Sequence, residues 1–176
     1  MAAPVLIREV RPDEYEALGL LLIAVYSTLE GFPTPREQPA YYRTLADVGA
    51  LAARKNVTLL VAASTDGTLL GGVVYFGDMT EYGSGGSAPT ERNAAGIRLL
   101  GVRSSARGRG VGKALTHACI ERARRQGRAQ VILHTTEAMH AAWGLYVSLG
   151  FRRSDDLDFL QEGLPVFGFR LRLMEE

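Results

Sequence analysis

Residues 107–112 read Arg107-Gly108-Arg109-Gly110-Val111-Gly112, and they stand between a short apolar run, Ile97 to Val102, and a stretch in which Val111, Ala114, Leu115, Ala118 and Cys119 recur at helical spacing. The first amides of a helix have no intrahelical partner and carry roughly half a unit of positive charge, and glycine lets a phosphate approach them with no side chain in the way. A diphosphate suits this position. Two familiar phosphate loops are excluded. A P-loop needs Gly where Arg107 stands and Ser or Thr where Ala114 stands. A dinucleotide fingerprint needs Gly-x-Gly-x-x-Gly and usually opens a domain, whereas Gly108, Gly110 and Gly112 alternate and several elements come first. A glycine turn that only lets strand and helix pack closely is the reading the hexapeptide alone leaves open.

Working outward toward the N-terminus, Val5 to Val10 reads as a first strand ended by Pro12, which suits a first helical turn with Asp13 and Glu14 near its positive end. Leu18, Leu21, Leu22, Val25 and Leu29 then make one helical stripe, broken by Gly31 to Pro35. A second helical stretch is expected over Pro39 to Arg54. Val57 to Ala63 and Leu69 to Phe76 are β-rich runs joined by Ser64-Thr65-Asp66-Gly67, a hairpin signature. Gly77 to Gly96 has no periodicity and is rich in Gly, Ser and Asn, so it reads as a mobile connection over the surface, of a length that is often functional.

Toward the C-terminus the helix after the glycines should stop near Gly127. Val131 to Thr135 is a fifth strand. Ala138, Ala141, Ala142, Leu145 and Leu149 form another helical stripe closed by Gly150, and two strands, around Phe151 to Phe159 and Val166 to Leu173, finish the chain. The expected class is α/β, one domain over residues 1–176. It has a mixed sheet of about seven strands flanked by about four helices, in the order β-α-α-β-β-β-α-β-α-β-β. Strand, helix, strand between Ile97 and Thr135 implies a right-handed parallel crossover beside antiparallel hairpins.

Composition bounds the function. A chain of 176 residues that is 47% apolar can enclose one core without staples. The lone Cys119 cannot pair within the chain, and the three histidines never cluster with it at metal-ligand spacing. No apolar run spans a bilayer, and Met1 to Val10 lacks the order of a secretory signal, so a cytoplasmic protein with no membrane partner is expected. The net charge of +1 and the absence of interleaved aromatics along the basic stretch argue against a nucleic-acid partner. Locally, though, Arg98, Arg103, Arg107, Arg109, Lys113, Arg122, Arg124, Arg125 and Arg128 crowd together with almost no acid among them, and that stretch calls for an anion.

The pattern Arg-x-x-Gly-x-Gly at residues 107–112 resembles the acyl-coenzyme A pyrophosphate loop of the GNAT superfamily of N-acetyltransferases. Leu100-Gly101-Val102 is similar to the strand that in this family splays from its neighbour and bonds the pantetheine arm. Leu145-Tyr146-Val147-Ser148-Leu149-Gly150-Phe151 is similar to the family's Leu-Tyr-x-x-x-Gly-Phe signature. The order of elements agrees as well, so the resemblance covers nearly the whole chain. It implies an enzyme that transfers acetyl from acetyl-coenzyme A, as co-substrate, to a small-molecule or peptide amine by direct attack within a ternary complex. It also implies that Leu100, Val102, Arg107, Gly108, Arg109, Gly110, Val111, Gly112, Lys113 and Tyr146 meet the cofactor, with no metal. The Val102 N–H is the expected oxyanion donor and Tyr146 the expected acid for the leaving thiolate. Dimerisation is compatible with the family, and no stretch of sequence proves it.

Two departures from the family pattern stand out. Many members carry a carboxylate in the fourth strand, but Ala94-Ala95-Gly96-Ile97 offers none, and Met139 stands where relatives often have an Asn on the cofactor arm. For the base, Glu30, Asp78, Glu81, Glu91, His134 and Glu137 are candidates by chain position; Glu30 is singled out because it lies in a break that lines the acceptor cleft in relatives. A water chain or a low-pKa amine would make any single base unnecessary. These departures motivate a second reading, a catalytically weak acyl-coenzyme A-binding regulatory or interaction module.

Overall fold

The alternating and helical periodicities become the following elements in the computed structural model, which describes residues 4–173. In chain order they are β1 (Val5–Glu9), α1 (Tyr15–Ser27), α2 (Pro39–Ala46), β2 (Val57–Ser64), β3 (Leu69–Phe76), β4 (Ala94–Val102), α3 (Val111–Arg125), β5 (Gln130–Thr135), α4 (His140–Ser148), β6 (Arg152–Arg153), β7 (Phe159–Gln161) and β8 (Leu164–Arg172). The sheet runs β1-β2-β3-β4-β5-β8-β6, with β7 paired to β8, and among the described residues only β4 and β5 are parallel neighbours. A parallel pair needs a crossover, and α3 supplies it.

Alternation along the strands sorts the core into two layers. Leu59, Val61, Val74 and Ile132 pack with Leu18, Leu22 and Leu45 of α1 and α2, while Leu60, Val73, Ile97 and Val131 pack with Val111, Leu115 and Cys119 of α3. In α3 the spacing of apolar residues therefore names the buried face correctly. Its end is also as expected: Gly127 has φ +73°, its N–H reaches the Arg124 carbonyl, and the Arg128 N–H reaches that of Ala123, a left-handed cap.

The strand that matters most is β4. Its first residues, Ala94 to Ile97, pair with Gln130 to Leu133 of β5, and there the parallel ladder ends. β4 continues to Val102 on β3 alone, through a register shift between Gly72 and Val74 opposite which Leu99 takes φ +59°. Such a bulge reverses alternation. Leu99 should share the side of Ile97, yet it packs with the α1–α2 layer while Ile97 lies in the α3 layer. Beyond Ile97 the two parallel strands separate, and one edge of β4 is left without a strand partner.

Three expectations need correction. The helix expected over Pro39 to Arg54 stops at Ala46 and resumes as a tighter 3-10 turn, Val48–Ala53, in which Gly49 lies under the Tyr15 ring, where a Cβ would come within 2.5 Å of it. The segment after β3 is not a surface connection, since Met79, Tyr82 and Ala88 are fully buried and β4 begins at Ala94. The strand expected around Phe151 to Phe159 is split into β6 and β7 by a turn over Asp155–Leu157 that drives Leu157 into the core against Gly168, giving eight strands. The stripe expected on α4 is present: Ala142, Leu145 and Leu149 pack against the core while half-buried, and Ala141, Ala142 and Leu145 also border an open cleft.

Candidate active site

The glycines at 108 and 110 are required by backbone conformation. Both have φ +77°, a region that L side chains rarely adopt, and Gly110 is the residue that caps α3. Having no side chain, Gly110 cannot cap the helix itself. The first helical N–H to find a partner within the helix is that of Ala114, on the Gly110 carbonyl, which leaves the amides of Val111, Gly112 and Lys113 for something else.

Gly112 is different. Its φ is ordinary, and an added Cβ would meet only Leu145 at 3.5 Å and Val102 at 3.6 Å, normal van der Waals contact. The fold does not demand glycine here, but a Cβ would fill the space in front of the bare amides. That cradle fits a phosphate group. Arg107, Gly108, Gly110, Val111, Gly112 and Lys113 all line one cleft of about 940 Å³, with Arg107 and Lys113 exposed beside the amides; Arg109 is exposed and does not line it.

The unpaired edge of β4 forms the next part of this cleft. The Arg103 N–H bonds the Leu70 carbonyl at 2.7 Å, so it points toward β3. Successive residues of an extended strand turn their amides to opposite sides, so the Val102 and Leu100 amides point the other way, into the gap between β4 and β5. The Leu100 carbonyl confirms the direction, because the Tyr26 hydroxyl of α1 reaches it at 2.7 Å from that side. Across the gap lie Thr135 and Thr136, buried residues whose hydroxyls have no hydrogen-bond partner among the described residues although both line the cleft. Buried polar groups are nearly always paired, so these two await a polar partner.

This geometry can be set beside known proteins. The model of the GNAT acetyltransferase family matches residues 22–151, which includes both arms of the gap, the glycine turn and α4. The chain belongs to the GNAT acetyltransferase family. Over 70 residues this GNAT chain is 39% identical to the mycothiol acetyltransferase of Renibacterium salmoninarum, a match that spans 39% of the chain but only 21% of that relative. Among solved structures, the GNAT-family acetyltransferase of Staphylococcus aureus Mu50 superposes with a TM-score of 0.76 at 16% identity, covering 97% of this chain and 100% of that one. The PaiA N-acetyltransferase of Thermoplasma acidophilum, solved with coenzyme A, gives 0.74 at 16% identity, covering 96% and 99%. At such identities the structures speak for the shared fold.

In this GNAT domain Tyr146 is buried on α4, lines the cleft, and has no hydrogen-bond partner for its hydroxyl among the described residues. Burial pushes its phenol well above the ordinary value, with the neighbouring Cys119 adding to the effect. The Cys119 thiol is itself pushed up to about 12 by burial. The candidate bases fare differently. Glu30 is exposed and does not line the cleft. Glu91 is bonded to Arg170, and Asp78 accepts from the Asn56 side chain at 2.6 Å and the Thr80 amide at 2.9 Å. Glu137 is exposed. Glu81 lines the cleft but stands 3.6 Å from Arg54.

His134 also lines the cleft, with both ring nitrogens engaged. Nε2 faces the Leu157 carbonyl at 2.9 Å and must donate, so Nδ1 accepts from the Tyr82 hydroxyl at 2.8 Å. Burial lowers its pKa below the ordinary imidazole value, and the pattern is that of a packed neutral histidine. Met139 lines the cleft as well.

The sequence reading missed the aromatic wall formed by Tyr26, Phe32 and Tyr41, whose rings lie 5.3 to 6.0 Å apart. A signal existed for Tyr26, which continues the Leu18 and Leu22 spacing by one more turn. No local signal marks Thr135, Thr136 or Tyr82.

Proposed function

We propose that this chain is an acyl-coenzyme A-dependent N-acyltransferase that moves acetyl from acetyl-coenzyme A to a primary amine by direct attack in a ternary complex. The observation that carries the reading is the continuity of one cleft from the bare amides of α3, along the free edge of β4, to the Tyr146 hydroxyl. The amides of Val111, Gly112 and Lys113, with the Arg107 and Lys113 charges, receive the pyrophosphate. The outward amides of Leu100 and Val102 receive the pantetheine arm and the thioester carbonyl, where the Val102 N–H is a fixed donor for the developing oxyanion.

Attack forms the N–C bond and breaks the C–S bond; the Tyr146 hydroxyl gives its proton to the departing thiolate, and the proton shed by the newly acylated nitrogen passes through water to restore the phenol. An unperturbed phenol near ~10 is a weaker acid than a thiol near ~8.5, a gap of about 2 kcal/mol. Burial raises the phenol, but it raises a thiolate in the same surroundings too, as Cys119 shows. The amine reaches the splay with its proton lost to water in the cleft, since His134 is fully engaged and Glu81 is paired. Glu30, exposed and off the cleft, has no part in this scheme.

Titration calorimetry with coenzyme A and acetyl-coenzyme A, followed by a thiol-release assay over a panel of primary amines, tests the proposal. Affinity together with amine-dependent thiol release is expected. No measurable affinity for either form of coenzyme A sinks the reading. Affinity with no amine-dependent release replaces it with the binding module, which the missing carboxylate at the splay would explain.

A further inference from the structure

Among the half-buried arginines on strands, Arg8 of β1 and Arg170 of β8 each hold carboxylates: Arg8 grips Glu14 at 2.8 and 2.9 Å, and Arg170 bonds Glu91 and Asp156. Arg98 of β4 is half-buried too, and no carboxylate among the described residues lies within ion-pair distance of it. It is held in place nonetheless. Its Nη1 donates to the Tyr82 carbonyl at 2.9 Å, and its guanidinium stands 5.9 Å from the centre of the Tyr82 ring. Its other nitrogens have no protein acceptor among the described residues and are not sealed from the cleft that Arg98 lines.

A half-buried cation without a counter-charge is costly unless a ligand supplies one. The carboxylates that border the cleft do not fill that role. Glu81 faces Arg54, and Glu37 and Glu162 are exposed. The acyl donor does not fill it either. Its phosphates belong at the start of α3, and the pantetheine and thioester that follow β4 are uncharged. Arg98 is the residue after Ile97, where β4 and β5 part, and two residues before Leu100. At about 3.3 Å per residue it lies ~13 Å along the strand from Val102, whose amide would hold the thioester carbonyl, a span for an extended arginine side chain and an acceptor that carries both carboxylate and amine. An arginine fork matches a planar carboxylate with two parallel N–H···O bonds, and a carboxylate is the anion an amine of amino-acid type would bring.

We infer that Arg98 is a specificity-determining residue that binds a carboxylate on the acceptor, so that the substrate is an amine carrying a carboxylate, of amino-acid type, with its side chain against Tyr26, Phe32 and Tyr41. This rests on the reading of the cleft as an acyl-transfer site. Initial rates on matched acceptors test it: amino acids with the amine and carboxylate at increasing separation, each beside its carboxamide and its decarboxylated amine. The carboxylate-bearing member is expected to lead in kcat/KM by about tenfold or more. Arg98→Gln should erase the lead while leaving the acetyl-coenzyme A KM and the decarboxylated amines within about twofold, and Arg98→Lys should keep part of it. Equal use of both members by the parent overturns the inference while leaving the transfer reading intact. So does an equal loss on both members in Arg98→Gln, since a clamp on the Tyr82 segment would act alike on every acceptor.

A check that needs no variant is inhibition by the same carboxylic acids lacking the amine, expected to be competitive against the acceptor and not against acetyl-coenzyme A; its absence also overturns the inference. If no amine is turned over, titration of the panel into the coenzyme A-loaded protein separates the two claims. Carboxylate binding that Arg98→Gln abolishes keeps the inference and ends the transfer reading, and no binding ends both.

Discussion

At one end of the cleft the groups offered to a ligand are main-chain amides, those of Val111 to Lys113 at the start of α3 and of Leu100 and Val102 on the free edge of β4. At the other end they are side chains, Arg98 on β4 and the rings of Tyr26, Phe32 and Tyr41 on or beside α1 and α2. Amides present the same donor whatever the residue, so the first end suits one invariant partner. Side chains change with each substitution, so the second end suits a partner that differs from one relative to the next. The first end should therefore fail when its space is filled, and the second when its chemistry is altered.

Filling the space gives the largest expected effect. Gly112→Leu puts a side chain in front of the bare amides while satisfying the helix better than glycine does. Coenzyme A affinity should fall about a hundredfold, equivalent to ~2.7 kcal/mol, read by calorimetry. The melting temperature should stay within about 3 °C of the parent, because no positive φ requires glycine here, a Cβ meets only ordinary contact, and the rest of the side chain has the open cleft to enter. A melting temperature that collapses with the affinity would show that Gly112 serves packing, and the division between the two ends would break.

Tyr146→Phe is next. It leaves the shape of the cleft unchanged and removes one hydroxyl that has no protein partner among the described residues. Turnover at saturating substrates should fall by about ten- to a hundredfold, as for loss of a general acid, with the acetyl-coenzyme A KM little changed. Turnover within about threefold, under ~1 kcal/mol of barrier, would leave Tyr146 as a packing residue.

The contrast also explains what could be read in advance. The amide end was legible because its information is local: three alternating glycines between a strand and a helix specify the turn, the cap and the exposed amides together. The side-chain end was not. Tyr82 is fixed by its contact with the Phe76 ring and its bond to His134, partners that chain spacing cannot announce. Its segment has no periodicity, so it read as a surface connection although Met79, Tyr82 and Ala88 are buried. Periodicity shows which side of a helix is apolar and not what covers it, and on α4 the stripe both packs on the core and, at Ala142 and Leu145, borders the cleft. Arg98 was visible only as one of many basic residues, since its isolation from carboxylates is a property of three dimensions.

A smaller effect separates the basic residues beside the bare amides from those on the solvated side of α3. Lys113→Glu should raise the apparent acetyl-coenzyme A KM about tenfold, and added salt should narrow the difference from the parent. Arg125→Glu, exposed in the last turn of α3 and not lining the cleft, should change it by less than about twofold. Equal effects would mean that the basic stretch acts as a diffuse field, with no local grip at the turn.

The smallest expected effect tests the premise behind Arg98, that a half-buried arginine on this sheet either has its carboxylate or waits for one. Arg8 has its carboxylate. Its fork on Glu14 holds that carboxyl down at about 2, helped by the Arg11 amide at 2.9 Å. A carboxyl lowered in the folded state stabilises the fold above its ordinary pKa near ~4.3, and the contribution is lost as pH falls toward about 2. The side chains keep 17% and 15% of their surface in water, so screening leaves about 1 kcal/mol of the gain. Glu14→Gln should thus lower the melting temperature by about 3 °C at pH 7, and the gap should close between about pH 5 and 2. For Arg98→Gln without ligand the same measurement should show at most the loss of its bond to the Tyr82 carbonyl, with no gap that closes between about pH 5 and 2 because no carboxylate is left behind, whereas added carboxylate ligand should raise the parent's melting temperature and not the variant's. A parent-like pH profile for Glu14→Gln would mean that the arginine fork contributes nothing to the folded state, and the contrast between Arg8 and Arg98 would lose its energetic basis.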